Sequence, residues 1–294
     1  MISVRTTALA LACLIWAGGA HAQGKWTKLA AFPEPAEELL GASAGGKMYV
    51  FCGLAPGWKP IGMVYEYDPA GDKWTKKKPM PLASHHVSFT EYKGKIYAFG
   101  GFVLPQSGPA AWVPIDNAWE YDPATDNWKA LAPLATKRGS PVAVTVADKI
   151  YATAGVVNGK VYVIGGRVGG AFVSSGSSNV GIVEEYDPAT DTWGAPRARM
   201  PSARSAMSSG TWGGKIYVTG GEGQDYVNMY AFRALEAYDP GTNTWTVLPN
   251  MPVGRHGLAG AVVGNRLHMV SGDVQSAGTG VPVHTESHDA YDLK

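Results

Sequence analysis

Bulky apolar side chains come along this chain in short runs that end on small residues: Met48 to Gly53, Ile96 to Gly101, Val161 to Gly166, Ile216 to Gly221 and Leu267 to Gly272. Such runs, bounded by turn residues, predict short β-strands, several in each segment, and no helix. In Lys215-Ile216-Tyr217-Val218-Thr219 bulk falls on both faces of the predicted strand. That is the composition of a small sheet sandwiched between neighbours, since a sheet with one wet face alternates polar and apolar positions.

The runs belong to a repeat. Val64-Tyr65-Glu66-Tyr67-Asp68-Pro69, Ala118-Trp119-Glu120-Tyr121-Asp122-Pro123, Val183-Glu184-Glu185-Tyr186-Asp187-Pro188 and Leu235-Glu236-Ala237-Tyr238-Asp239-Pro240 are each followed by a tryptophan, at Trp74, Trp128, Trp193 and Trp245. Asp289-Ala290-Tyr291-Asp292-Leu293 closes the series, and the tyrosines are 54, 65, 52 and 53 residues apart. A period near 50 is the mark of propellers or arrays. Asp-Pro predicts a turn, because proline fixes φ and aspartate can bond the backbone two residues on. The glycine pairs at 100–101, 165–166 and 220–221 suit positive φ or close backbone approach where strands leave a sheet. No single repeat buries both its faces alone, so the repeats must stack.

A double glycine, a Tyr and a Trp at these relative positions resemble the kelch repeat, over essentially all of residues 24–294. The resemblance implies an all-β fold, a kelch-type β-propeller with four-stranded antiparallel blades. Trp26, Trp74, Trp128, Trp193 and Trp245 count five blades. Gly24 to Pro33 resembles an outer strand lacking its blade, and the chain stops where such a strand is missing, so the two ends should complete one blade and close the ring. The third repeat carries its pattern twice, as Asp148 to Gly155 and Gly159 to Gly166. Counted from the preceding junction, the first copy keeps the register and the second reads as an insertion; a degraded sixth blade is the competing reading.

Composition adds boundaries. With 38 Gly and 20 Pro the chain is rich in turns, but 45% hydrophobic residues and 10 Trp exclude disorder. A formal charge of +1 removes any bulk field for nucleic acid or anionic lipid. Arg5, the apolar run from Ala8 to Ala17, and Ala20-His21-Ala22 read as a signal peptide cut before Gln23, with a lipoprotein cut before Cys13 as the alternative. Residues 1–22 are thus expected to be removed on export to the periplasm or medium, leaving residues 23–294 as the propeller domain, without a membrane span and with Cys52 as its lone, buried thiol.

Blade junctions place Ser84, Arg138, Arg204 and Arg255 at one register, followed by His85, Gly139, Ser205 and His256, with Ala36-Glu37 in the first blade. In this family such segments lead into the innermost strands, so Arg138, Arg204 and Arg255, with His85 and His256, are expected to ring the channel mouth. Converging guanidiniums match a carboxylate. The other reading has them bonding carbonyls of their own blades. His85-His86, His256, His268, His284 and His288 could include metal ligands, yet His85 and His86 cannot face one metal without a kink, no His/Cys cluster stands out, and no metal or cofactor is expected. Galactose oxidase shares the propeller class, yet nothing singles out a Tyr partner for Cys52. The chain is also similar to the sialic acid mutarotases, the N-acetylneuraminate epimerases, at Gly221-Glu222, but Asn228 stands where they carry Arg. That resemblance implies Glu222 as catalytic, moving a proton of the anomeric hydroxyl while Arg204 or Arg255 holds the carboxylate. The expectation is a monomeric exported propeller binding a small polar or acidic ligand, a saccharide or an envelope protein; the alternatives are a mutarotase-like epimerase and a scaffold for protein-protein interaction without catalysis.

Overall fold

Each Tyr-Asp segment becomes the third strand of a four-stranded antiparallel sheet, and the turn after it is built from its own side chains. Asp68, Asp122, Asp187 and Asp239 accept the amide two residues on, each at 2.9 Å. Five residues on, Tyr67 donates its hydroxyl to Asp72, Tyr121 to Asp126 and Tyr238 to Asn243. These acceptors sit at positive φ, between 45° and 54°, a conformation Asp and Asn tolerate best among residues other than glycine. Local chemistry alone therefore sets the hairpin that brings Trp74, Trp128 and Trp245 opposite their tyrosines.

The structure is a computed structural model describing residues 24–294 except 108–111, 135–136, 138, 140–143, 147–148, 152–155, 167–178, 188, 191, 225–228 and 276–281. Every regular element among the described residues is a strand, and no described helix is long and apolar enough to cross a membrane. Blade one orders Leu40–Ala44, Lys47–Phe51, Val64–Asp68 and Lys73–Lys76; blade two Ser88–Tyr92, Lys95–Phe99, Ala118–Asp122 and Asn127–Ala130. Blade three orders Val156–Val157, Lys160–Ile164, Val183–Asp187 and Thr192–Trp193; blade four Ser205–Trp212, Lys215–Gln224, Leu235–Asp239 and Thr244–Leu248. Blade five joins Ala259–Val263, Arg266–Val270 and His288–Asp292 to Trp26–Lys28 from the other end of the chain, with Trp26 opposite Tyr291. This pairing covers the edge that each end would otherwise expose.

The cores lie between blades. Phe51 of blade one stacks on Phe89 of blade two at 4.3 Å, and Trp128 and Tyr121 complete that cluster. A second cluster sets Tyr65, Tyr67 and Val50 of blade one against Ala259, Ala261 and Val270 of blade five. At the axis the inner strands come so close that a Cβ on Gly41 would lie 2.5 Å from the Gly260 carbonyl oxygen. Only glycine permits that approach. A cavity of about 420 Å³ remains, lined by small residues such as Ala42, Ser43, Ser209 and Ala261.

The third repeat departs from the length-based register. Its second copy, Lys160–Ile164, is the strand that pairs with Val183–Asp187, and Val161 opposite Tyr186 repeats Met48 opposite Tyr67 and Ile96 opposite Tyr121. The first copy forms a separate two-stranded ladder, Val144–Val146 with Lys149–Tyr151, set between blade two and blade three. Side-chain chemistry outweighs loop length here. Lys160 and Tyr162 both bond Glu185, as Lys47 and Tyr49 bond Glu66 and Lys95 and Tyr97 bond Glu120.

The tryptophans share one register but not one environment. Trp26, Trp74, Trp128 and Trp245 donate their indole N–H to backbone carbonyls of Pro249, Ala30, Lys78 and Ala198, tying each outer strand to the neighbouring segment. Trp193 is 57% exposed, on the blade that follows the two-stranded ladder, for which no outer strands stand among the described residues. Trp245→Ala and Trp74→Ala should each cost about 3–5 kcal/mol by urea unfolding, as truncations of large packed aromatics do. Trp193→Ala should cost about 1 kcal/mol or less, so the equivalence expected from sequence ends at this position.

Candidate functional site

The paired glycines create the site. Gly220 and Gly221 have φ of +68° and +97°, and a Cβ on Gly221 would meet the Ser205 carbonyl oxygen at 2.6 Å. Cys52 and Ser271 stand in the first-glycine place of their repeats and adopt φ of +54° and +55°. After this kink the chain pairs back onto the blade junction: Glu37 with Leu54, His85 with Phe102, Ser205 with Glu222 and His256 with Asp273. In blade five the ladder continues, so that His256, Asp273 and His284 stand in a row across three segments. The residue following the junction turns sharply, with φ of +54° at Glu38 and +52° at His86. That is the kink His85 and His86 needed, and their Nδ1 atoms lie 2.6 Å apart.

Symmetry carries this register to one end of the channel, where carboxylates and imidazoles meet. Glu37, His256, Glu222 and Asp273 are all buried. His256 Nε2 lies 3.7 Å from Glu37 Oε2 and 3.9 Å from Glu222 Oε2; His284 Nε2 lies 3.7 Å from Glu37 Oε1. His86 Nε2 approaches Glu38 at 3.2 Å. Beside them is an aromatic wall: Trp112 packs on His85, His86, Phe102 and Trp58 with ring centroids 4.9, 5.0, 5.6 and 6.2 Å apart. Trp58 and Trp112 are half-buried. Burial, reinforced by His86, pushes the His85 imidazole down to about 3. Burial also pushes His86 down to about 4 against the opposing pull of Glu37 and Glu222. Both rings are thus neutral at physiological pH.

The arginines are elsewhere. Arg204 is fully buried, with Nη1 2.7 Å from Glu236 and further bonds to the Ser202 and Val218 carbonyls. Arg255 repeats this with Asp289 at 2.8 Å and the Val253 and Met269 carbonyls. Each guanidinium clamps its own blade, because its carboxylate partner sits at the second position of that blade's third strand. Neither is presented to a ligand, so the expectation of arginines converging on an anion is corrected for these two. Arg138 lies outside the described residues, as does Asn228. Of the residues singled out from sequence, the structure brings together Glu222 and His256, and sets His85 against the aromatic wall. Sequence reasoning missed Glu38 and Asp273, named His86 and His284 only among histidines weighed as metal ligands, and noted Glu37 only by register. The signal was present: Leu54, Phe102, Glu222 and Asp273 each follow the second residue of a glycine-pair site. No metal site was expected, yet Glu37, Asp273 and His284 place ligand atoms within 4.8 Å of one another. Cys52 is buried, its Sγ 3.7 Å from the Glu38 carbonyl, and desolvation raises its thiol to about 12, which makes it inert.

Comparison with known proteins supports the architecture. The kelch-like protein terF of Aspergillus terreus is 27% identical, matching 88% of this chain and 67% of its own. Kelch repeat and BTB domain-containing protein 12 of Danio rerio is 29% identical over 78% of this chain, and kelch-like protein 23 of Mus musculus 26% over 91%. The chain spans only 36% and 42% of those two vertebrate proteins. The solved structure of YjhT superposes with a TM-score of 0.53 at 16% identity, covering 88% of this chain and 95% of its own, a likeness of fold alone. The Attractin/LZTR1 beta-propeller family matches residues 25–294, and the protein belongs to that family of kelch-repeat propellers.

Proposed function

We propose that this protein is an exported kelch propeller that binds a neutral or amino saccharide at the channel mouth. The observation that carries the reading is the aromatic wall of Trp58, Trp112 and Phe102 placed directly beside the buried carboxylates and imidazoles, through the His86 ring. Aromatic faces take up the apolar face of a sugar ring while a few fixed polar groups bond its hydroxyls. Among the described residues the mouth carries Glu37, Glu38, Glu222 and Asp273 and no unpaired arginine. This disfavours an acidic ligand and takes from a mutarotase the carboxylate anchors Arg204 and Arg255. The sequence pattern of residues 1–22, Arg5 with an apolar run and Ala20-His21-Ala22, supports the exported location.

A thermal-shift and calorimetric screen of residues 23–294 against neutral, amino and acidic sugars tests this. Neutral or amino sugars should raise the melting temperature, and Trp112→Ala should weaken binding at least tenfold per folded molecule. Hits confined to acidic sugars would sink the reading, and no sugar hit would favour a protein partner. The 3.9 Å approach of Glu222 to His256 favours a second reading, an acid-base pair interconverting the anomers of the bound sugar. In that case polarimetry would show catalysed mutarotation that Glu222→Gln abolishes.

A further inference from the structure

We infer that Glu37, Asp273 and His284 form a binding site for a divalent transition metal ion, with His256 beside it and one coordination position open toward the channel mouth. The inference is independent of the saccharide reading, and either can fail alone.

Three observations converge. The first is spacing. One ligand atom from each of Glu37, Asp273 and His284 lies within 4.8 Å of the others, and His284 Nε2 is 3.7 Å from Glu37 Oε1. Ligands around a tetrahedral ion with bonds of about 2.0–2.2 Å stand roughly 3.4 Å apart. The His284–Glu37 pair stands within about 0.3 Å of that spacing, and closing the whole set around an ion needs shifts of at most about 1.4 Å.

The second is burial without partners. His284 Nε2 is buried with no hydrogen-bond partner, and its side chain is only 8% exposed. His256 is fully buried with neither ring nitrogen bonded, and its Nε2 faces the second oxygen of Glu37 at 3.7 Å. Buried polar atoms are almost always satisfied, and each exception costs about 1–3 kcal/mol. Two such imidazoles aimed at one buried carboxylate satisfy their lone pairs if a cation sits between them. At 3.7 Å they are too far apart to hydrogen-bond and correctly spaced to share an ion.

The third is preorganisation. Asp273 Oδ1 accepts the backbone amides of Gln275 at 2.8 Å and Val283 at 3.1 Å, which orients its carboxylate. Backbone bonds in both directions lock Asp273 against His256, at 2.9 and 3.0 Å. Fixing a ligating carboxylate through its second oxygen is what outer-shell bonds do at metal sites. One nitrogen and two carboxylates select Zn²⁺ or Mn²⁺ over soft, thiolate-seeking ions, and three protein ligands leave room for water or a ligand hydroxyl.

The test uses residues 23–294, stripped with chelator and titrated calorimetrically with Zn²⁺ and, separately, Mn²⁺ in the absence of sugar. One ion should bind per chain with a dissociation constant of micromolar or tighter, and melting temperature should rise on its addition. Asp273→Asn and Glu37→Gln are isosteric, and His284→Ala removes the nitrogen. Each should weaken Zn²⁺ at least tenfold, while melting of the metal-free variants shows that the fold survives. Co²⁺ should give visible absorption bands of a four-coordinate nitrogen and oxygen set that His284→Ala removes. Should the alanine variant fail to fold, the two isosteric variants decide. Absence of binding tighter than about 100 µM for both ions, or undiminished binding in Asp273→Asn and Glu37→Gln, overturns the site.

Discussion

Lowering the pH from 7 to about 4.5 should unfold this propeller, through histidines that the fold keeps neutral. His85 and His288 are pushed down to about 3, and His86 and His268 to about 4, in each case chiefly by burial. His268 Nδ1 and His288 Nε2 meet at 3.0 Å against Tyr67 and Trp74 at the closing blade, so protonating either places a charge beside the other. The folded values lie below the unfolded value of 6.5. Stability is therefore intact above pH 6.5 and is lost as pH falls from there toward the folded values, because the unfolded chain binds more protons. Two pH units below 6.5 amount to about 2–3 kcal/mol per group. Four groups reach roughly 10 kcal/mol, within the whole stability of an ordinary domain, about 5–15 kcal/mol. His86 and His268, whose folded values lie near 4, contribute less than His85 and His288. Urea midpoints measured from pH 7.5 to 4.5 should fall with a limiting slope near four protons. A flat profile would mean that these rings take up protons without unfolding.

Arg255→Ala should cost about 3–5 kcal/mol, because it strands the Asp289 carboxylate in a fully buried place. Arg204→Ala should do the same to Glu236. Burial pulls both guanidiniums down while the carboxylates hold them charged. Replacing the pair together, as Arg255→Met with Asp289→Leu, should recover most of the loss, since the desolvation of two ions disappears with them. Sugar affinity per folded molecule should not change. Unchanged melting with lost affinity would return these arginines to the binding site.

The arginine pairing was legible in the sequence once the right two columns are compared. Repeats with Arg204 and Arg255 at the junction carry Glu236 and Asp289 at the second position of the third strand, whereas Ala36 and Ser84 face Tyr65 and Trp119 in the same columns. A residue and its counter-ion stand 32 and 34 positions apart, beyond the reach of any local periodicity. The choice between the two copies in the third repeat was equally visible in Lys160, Tyr162 and Glu185, and loop length misled because loops tolerate insertion at little cost.

Strands, turns, the five-fold repeat and the closure of Trp26 onto Tyr291 follow from the sequence itself. Each of these rests on contacts within a few residues, such as Tyr67 to Asp72, or on repetition of a local unit. The gathering of Glu37, Asp273 and His284 was decided only by the tertiary structure. They come from opposite ends of the chain and from unlike contexts, one at a blade junction and two on a ladder beyond the glycine kink. A ring brings its first and last blades side by side, so chemistry across that seam depends on closure geometry, which no spacing along the chain records.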